Sequence, residues 1–193
     1  MGSLFDNLYD VLFQPQAGMR NLAEGKNVGQ ALSVFLISIL LPIWALSFAL
    51  KSTGSSMMIY VMMLIKIAAS LIIWFMGAAI LHLIAEFFGG RGTGVGLFVT
   101  LGFAHIPRIF MVPLWAIIMG MPAGSKTVLL SASVLLVIVW SFYLDIVAIR
   151  EVYQLSTAKS VLVMITPILG IGILCVVALI FIGSAMINMP TWL

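Results

Sequence analysis

Five long apolar stretches run along the sequence, separated by short segments that hold Gly, Pro, Ser and most of the charged residues. Each stretch reaches the roughly 20 residues that a helix needs to cross the hydrocarbon core of a bilayer. They predict transmembrane helices over residues 31–50, 57–84, 97–119, 128–149 and 161–187. The pattern therefore predicts an all-α, polytopic membrane protein, built as a bundle of five transmembrane helices.

A different periodicity precedes the first apolar stretch. Over residues 3–14 apolar side chains cover one broad helical face, and four polar residues gather on the other: Asp6, Asn7, Asp10 and Gln14. Pro15 ends the pattern. We expect an N-terminal amphipathic interfacial helix that binds the membrane surface or a partner, although its acidic face argues against recruitment by anionic lipid. A helix packed along the cytoplasmic face of the bundle explains the same pattern.

The chain divides into a cytoplasmic N-terminal segment, residues 1–29, and one membrane domain, residues 30–193. The first apolar stretch begins about thirty residues in and has no basic segment directly before it. We therefore expect a retained span and not a cleaved signal peptide.

The number and the distribution of charged residues argue against a soluble protein and predict which side of the membrane each terminus occupies. Only 8% of the residues are charged, against about 25% in a soluble domain. The nine Lys and Arg are scattered singly, so no nucleic-acid partner is predicted. Outside the spans, five lie on one side (Arg20, Lys26, Arg91, Arg150 and Lys159) and two on the other (Lys51 and Lys126). The positive side stays inside, which predicts a cytoplasmic N-terminus and a C-terminus on the opposite side.

Two cations lie deep inside predicted spans, where each costs roughly 2.5–3.5 kcal/mol at a helix centre. Lys66 shares a helical face with Ser70 and Gly77, small residues that are typical of helix contacts. Lys66 therefore points into the bundle or snorkels outward. Arg108 lies at a similar depth, and no acidic residue is expected at that level. An anion such as a lipid phosphate between Lys66 and Arg108 would relieve the repulsion, as would loss of the lysine proton.

A second polar group gives weak candidates for a metal site: His82, Glu86, His105 and Asp145. A His and a Glu four residues apart on a helix can meet one ion. The four residues come from three helices, however, and structural hydrogen bonds and ion pairs explain them better, with Arg108 and Asp145 as one candidate pair. No metal or cofactor is predicted.

Pro107 and Pro113 in the third span are expected to break the helix, either to line a cavity or to shape packing. Gly89, Gly90, Arg91 and Gly92 lack the Lys and the preceding strand of a phosphate-binding loop, so a flexible cytoplasmic turn is predicted. The sequence also lacks the short motifs of metalloproteases and serine hydrolases, and we expect no enzymatic activity.

Three segments resemble the Yip domain family, membrane proteins named for their interaction with Ypt/Rab GTPases. They are residues 10–20 (DVLFQPQAGMR), 81–92 (LHLIAEFFGGRG) with 101–107 (LGFAHIP), and 148–159 (AIREVYQLSTAK). The resemblance implies five spans and a cytoplasmic N-terminus. In eukaryotic members it also implies Rab binding through a long N-terminal region. Here only about thirty residues precede the first span. The chain is similar to the short prokaryotic form, which implies a plasma-membrane location and argues against Rab binding.

These observations predict a Yip-like membrane scaffold that acts through protein or lipid contacts in membrane organisation or trafficking. Its expected partners are membrane lipids, a protein partner or a second copy. The alternative is a small transporter or channel for an anionic or amphipathic solute, which would use Lys66 and Arg108.

Overall fold

The computed structural model describes residues 3–50 and 56–187, and every regular element in these two ranges is helical. Two short N-terminal helices come first, α1 (Leu4–Phe13) and α2 (Pro15–Gly25). The spans follow as α3 (Val28–Leu50), α4 (Ser56–Phe87), a broken third span made of α5 (Gly94–Ala104) and α6 (Met111–Met119), α7 (Ala123–Tyr153) and α8 (Thr157–Ile187). Five spans are long and apolar enough to cross a membrane, which confirms the predicted all-α, polytopic class.

The predicted N-terminal helix is α1, and its start is set by a capping box. The Ser3 hydroxyl accepts from the Asp6 amide at 3.2 Å, while Asp6 accepts from the Ser3 amide at 2.9 Å. These hydrogen bonds from Ser3 hold the pKa of Asp6 below its ordinary value. Pro15 ends α1 but at once begins α2, because its fixed φ suits the first turn of a helix. The sequence pattern missed this second helix.

Both explanations offered for α1 find support in its surroundings. Val11 is fully buried, and three leucines of α1 pack against the core, as expected for a helix lying along the bundle. Three aromatic side chains point away from the bundle and are exposed: Phe5, Tyr9 and Phe13. Aromatic rings are enriched where a membrane meets water. The helix therefore packs on the bundle with one side and leaves an aromatic side exposed.

The third span is broken in the segment that holds the two predicted prolines. A 3₁₀ helix, Ile106–Phe110, separates α5 from α6 and has Pro107 in its first turn. Pro113 is the third residue of α6, where a backbone amide has no partner within the helix in any case. Pro113 therefore lies in the first turn of the helix that follows the break, and the hydrogen bond it cannot donate would have gone to Ile109 in the 3₁₀ segment. The 3₁₀ helix packs against α3 and α7, and this contact places Arg108.

Tight packing is concentrated at the end of the bundle that carries α1 and α2. The largest fully buried side chains include Met19, Phe103, Ile149 and Tyr153. The second half of α8 is the opposite case, since every residue from Ile168 to Ile182 is exposed. An apolar helix needs no polar cover where it faces lipid. The α1–α2 end is thus the well-packed part of the molecule.

Candidate functional site

A cavity of about 380 Å³ lies between α3, α4, the broken third span and α7. Its wall is mostly apolar and includes Ile39, Val134 and Ile138. Seven polar side chains or groups interrupt this wall: Ser38, Lys66, Ser70, Arg108, Trp115, Ser141 and Asp145. An apolar wall with a few polar groups is the usual composition of a small-ligand site.

Both intramembrane cations line this cavity. Lys66 comes from α4 and Arg108 from the 3₁₀ helix, so the structure brings together the two residues named for an anion or lipid site. Both residues are exposed. The sequence predicted that Lys66 either points into the bundle or snorkels outward. In the structure it does both, since it lines the cavity and is also exposed. The two cations lie at the open side of the cavity.

Asp145 lines the same cavity, which corrects the expectation that no acidic group lies near the two cations. Arg108 and Asp145 attract each other electrostatically. They are not among the ion pairs within 4.0 Å that residues 3–50 and 56–187 form. Counting depth along a straight third span placed Asp145 too far away. The 3₁₀ helix breaks that span and packs Arg108 against α7, where Asp145 lies.

Two buried polar atoms on the cavity wall have no hydrogen-bond partner in the described part of the chain, namely Ser141 Oγ and Trp115 Nε1. Ser141 is only 9% exposed. Several other serines in the spans donate their hydroxyl to a carbonyl of their own helix: Ser38 Oγ donates to the Phe35 carbonyl at 2.7 Å and Ser133 Oγ to the Leu130 carbonyl at 2.8 Å. Buried polar atoms in folded proteins are almost always hydrogen-bonded. These two atoms are enclosed within the wall of the cavity, and a ligand would reach them only after neighbouring side chains moved.

A second cavity, of about 370 Å³, adjoins the first and shares Ser70, Arg108 and Asp145 with it. Together the two cavities follow α4 from Lys66 to Leu81, which is about 22 Å at 1.5 Å per residue. Trp74 lines the second cavity, stacked between Phe35 and Phe98, and its Nε1 is also buried without a partner within residues 3–50 and 56–187. Polar groups thus line two neighbouring cavities along much of α4.

The weak metal candidates do not converge. His82 Nδ1 lies 2.6 Å from the Tyr153 hydroxyl and its Nε2 lies 3.7 Å from Glu86. His105 Nδ1 donates to the Leu101 carbonyl at 2.8 Å. His105 lines the second cavity with Asp145, whereas His82 lies against a separate apolar groove. Within the described ranges, no three His, Cys, Asp or Glu side chains are grouped to hold a metal ion.

The predicted glycine-rich turn follows α4, and two of its glycines, Gly90 and Gly92, are closely packed. Gly89 has φ of +83°, a backbone conformation that favours glycine. The Arg91 amide donates to the Tyr153 carbonyl at 3.3 Å. A Cβ on Gly92 would lie 2.5 Å from the Val152 carbonyl oxygen, and one on Gly90 would lie 2.8 Å from the Tyr153 side chain. The glycines are needed because the turn lies directly against the end of α7.

Two residues that the sequence did not single out, Glu151 and Tyr153, organise this end of the bundle. Glu151 is buried and accepts from Arg20 of α2 and from Arg150, each at 2.7 Å. Tyr153 contacts His82 and the glycine turn. The three segments that carry the family resemblance, residues 10–20, 81–92 and 148–159, therefore meet here. We call this contact the junction, defined by Arg20, His82, Gly92, Glu151 and Tyr153. A buried acidic residue at the end of an apolar span was the signal that could have revealed it.

Comparison with known proteins gives one match. No curated protein sequence matches the chain, and no solved structure matches it. A family model, the Yip1 domain, matches residues 9–180. This range includes all the lining residues of both cavities and the whole junction. The chain therefore belongs to the Yip1 domain family.

Proposed function

We propose that this Yip1-domain protein organises its membrane by holding an anionic lipid, whose phosphate lies between Lys66 and Arg108. The role is non-catalytic. The observation that carries this function is the placement of both intramembrane cations on one cavity. Protein contacts of the scaffold would use its other surfaces, among them the aromatic side of α1.

Electrostatics favours an anion in the cavity. Lys66 and Arg108 contribute two positive charges, and Asp145 contributes one negative charge. Charges inside a low-dielectric region are costly unless they are paired and hydrogen-bonded. A phosphate oxygen next to the guanidinium and ammonium groups supplies charge-assisted hydrogen bonds to both. Basic pockets between transmembrane helices are known to hold lipid headgroups in this way.

The position of the cations favours a lipid as the source of that phosphate. Both side chains lie at the open side of the cavity, so a headgroup can enter while its acyl chains stay in the bilayer. The wall beside them is apolar and includes Val134, Ile138 and Phe142. Apolar side chains of this kind suit the upper part of an acyl chain.

Native mass spectrometry of the purified protein with phosphatidylglycerol and phosphatidylcholine tests this role. We expect the anionic lipid to be retained in preference, and Lys66→Met and Arg108→Met each to reduce its retention about tenfold, since a hydrogen bond to a charged group contributes about 1.5–3 kcal/mol. Lys126→Met is the matched control, because Lys126 lies on α7 away from the cavity. Equal retention of both lipids, unchanged in the two cavity variants, would refute the lipid role.

One observation favours a second candidate, a small carrier for an anionic or amphipathic solute. The two adjoining cavities follow about 22 Å of α4, with Ser70, Arg108 and Asp145 at their shared boundary. Uptake of labelled phosphate or glycerol 3-phosphate into proteoliposomes separates the two functions. A scaffold gives no uptake above empty liposomes, whereas uptake that is lost in Lys66→Met would identify a carrier.

We further propose that the α1–α2 end is cytoplasmic and that the membrane is the plasma membrane of a prokaryote. Arg20, Lys26, Arg91, Arg150 and Lys159 lie at this end, and Lys126 lies at the other; Lys51 and residues 188–193 fall outside the described ranges. The exposed Cys175 is first replaced by Ser. In intact cells we expect an impermeant maleimide to label Gly124→Cys and not Gln16→Cys. The reverse pattern would invert the orientation.

A further inference from the structure

Asp145 is an acid and cannot help to bind a phosphate, so its place in the cavity needs a different explanation. Building on the lipid role proposed above, we infer that Asp145 selects the headgroup. The cavity takes a phosphodiester lipid with one negative charge whose headgroup carries hydroxyl donors, the phosphoglycerol class.

The charge of the cavity fixes the charge of the ligand. With the Asp145 carboxyl ionised, the formal charges of Lys66, Arg108 and Asp145 sum to one positive charge, so a ligand with one negative charge leaves the site neutral. A zwitterionic phosphoethanolamine headgroup would leave one positive charge uncompensated. A phosphomonoester, which approaches two negative charges near neutral pH, would leave an excess of negative charge.

The hydrogen-bonding capacity of Asp145 indicates which other groups the lipid headgroup carries. An ionised carboxylate only accepts hydrogen bonds, so Asp145 requires a donor from its ligand. Within residues 3–50 and 56–187, the carboxylate of Asp145 is influenced by the charge of Arg108 but by no hydrogen bond. A glycerol headgroup has two hydroxyls, either of which can donate to Asp145.

The positions of these groups fit one headgroup from end to end. The two cations are exposed, whereas Asp145 is half-buried. The phosphate therefore lies nearer the surface, and the glycerol hydroxyls point inward to Asp145. A phosphoserine headgroup also carries one net negative charge, but its carboxylate would lie near Asp145 and repel it.

The test compares phosphatidylglycerol with phosphatidylmethanol, a lipid of the same charge and acyl chains that lacks the two hydroxyls. Retention of each is measured by native mass spectrometry on the full chain. We expect the wild type to retain phosphatidylglycerol about tenfold better, the factor that one hydrogen bond to a charged group supplies. Asp145→Ala should bring the two lipids within about twofold of each other. Asp145→Asn, which keeps an acceptor, should retain part of the preference.

The outcomes separate this inference from the proposed function. Equal retention of the two lipids by the wild type, with retention of both still dependent on Lys66 and Arg108, would overturn the role of Asp145 and leave the lipid role standing. Retention that does not depend on Lys66 and Arg108 would overturn both. Soluble glycerophosphoglycerol, the same headgroup without acyl chains, is added as a competitor. If it displaces phosphatidylglycerol at equal concentration, the ligand is a soluble anion and the inference about a lipid is wrong.

Discussion

Gly92→Ala is expected to destabilise the protein by about 3 kcal/mol, the upper part of the usual range for overpacking. The added methyl group would lie 2.5 Å from the Val152 carbonyl oxygen and 2.8 Å from atoms of both the Val152 and Tyr153 side chains. Because the closest of these atoms belongs to the backbone of α7, no side-chain rotation relieves the clash. The turn would have to move away from Tyr153 and lose the hydrogen bond that the Arg91 amide donates there.

Reversible unfolding in mixed detergent micelles measures this change, with Gly170→Ala as the matched control. A Cβ on Gly170 meets nothing within 4 Å, and Gly170 lies on the exposed part of α8. Ala is also the better helix former, by about 1 kcal/mol. We therefore expect the control to keep or slightly gain stability. If both variants unfold like the wild type, the turn is not packed against α7 as described.

Glu151→Ala should cost about 2–3 kcal/mol of stability, somewhat less than the 3–5 kcal/mol seen when a fully buried ion pair loses one partner. The Glu151 side chain is 6% exposed and accepts from both Arg20 and Arg150. Its loss leaves Arg150, which is largely buried, without its carboxylate and frees α2 from α7. The cost is reduced because the Arg20 side chain is 65% exposed and can be hydrated.

Glu86→Ala is the control for this change, since the Glu86 side chain is 54% exposed and lies 3.7 Å from His82. Exposed pairs contribute roughly 0–1 kcal/mol, so we expect a shift within that range. Protease accessibility of the bond between α1 and α2 gives a second readout, and cleavage there should become faster in Glu151→Ala alone. Equal effects of the two substitutions would show that Glu151 does not anchor α2.

The positions of residues within long, regular helices could be predicted from the sequence. The positions of residues that depend on a break in a helix could not. The five spans follow from apolar length alone, because a lipid-facing helix has few other requirements. Asp145 could not be placed beside Arg108, since that contact depends on the 3₁₀ helix that interrupts the third span. Pro15 illustrates the same ambiguity, because a proline that ends one helix is equally suited to begin the next.

The junction could not be predicted from the sequence for a related reason. Its glycines occur in a segment that is polar and rich in Gly, a composition that usually indicates a flexible turn. What makes them necessary is the approach of Val152 and Tyr153 from α7, some sixty residues later in the chain. The candidate site was partly accessible to sequence reasoning, since charge inside an apolar span identifies Lys66 and Arg108 without any knowledge of packing.

Solid-state NMR measures the central contact directly, through the dipolar coupling between lipid phosphorus and the guanidinium carbon of labelled arginine. The protein is reconstituted in phosphatidylglycerol with ¹³C at Cζ of all its arginines. A guanidinium that is hydrogen-bonded to a phosphate places these two nuclei about 4 Å apart. We expect ³¹P to dephase an arginine signal with this short distance, and Arg108→Met to remove that signal. Dephasing that is the same in the wild type and in Arg108→Met would show that no lipid phosphate is bound in the cavity.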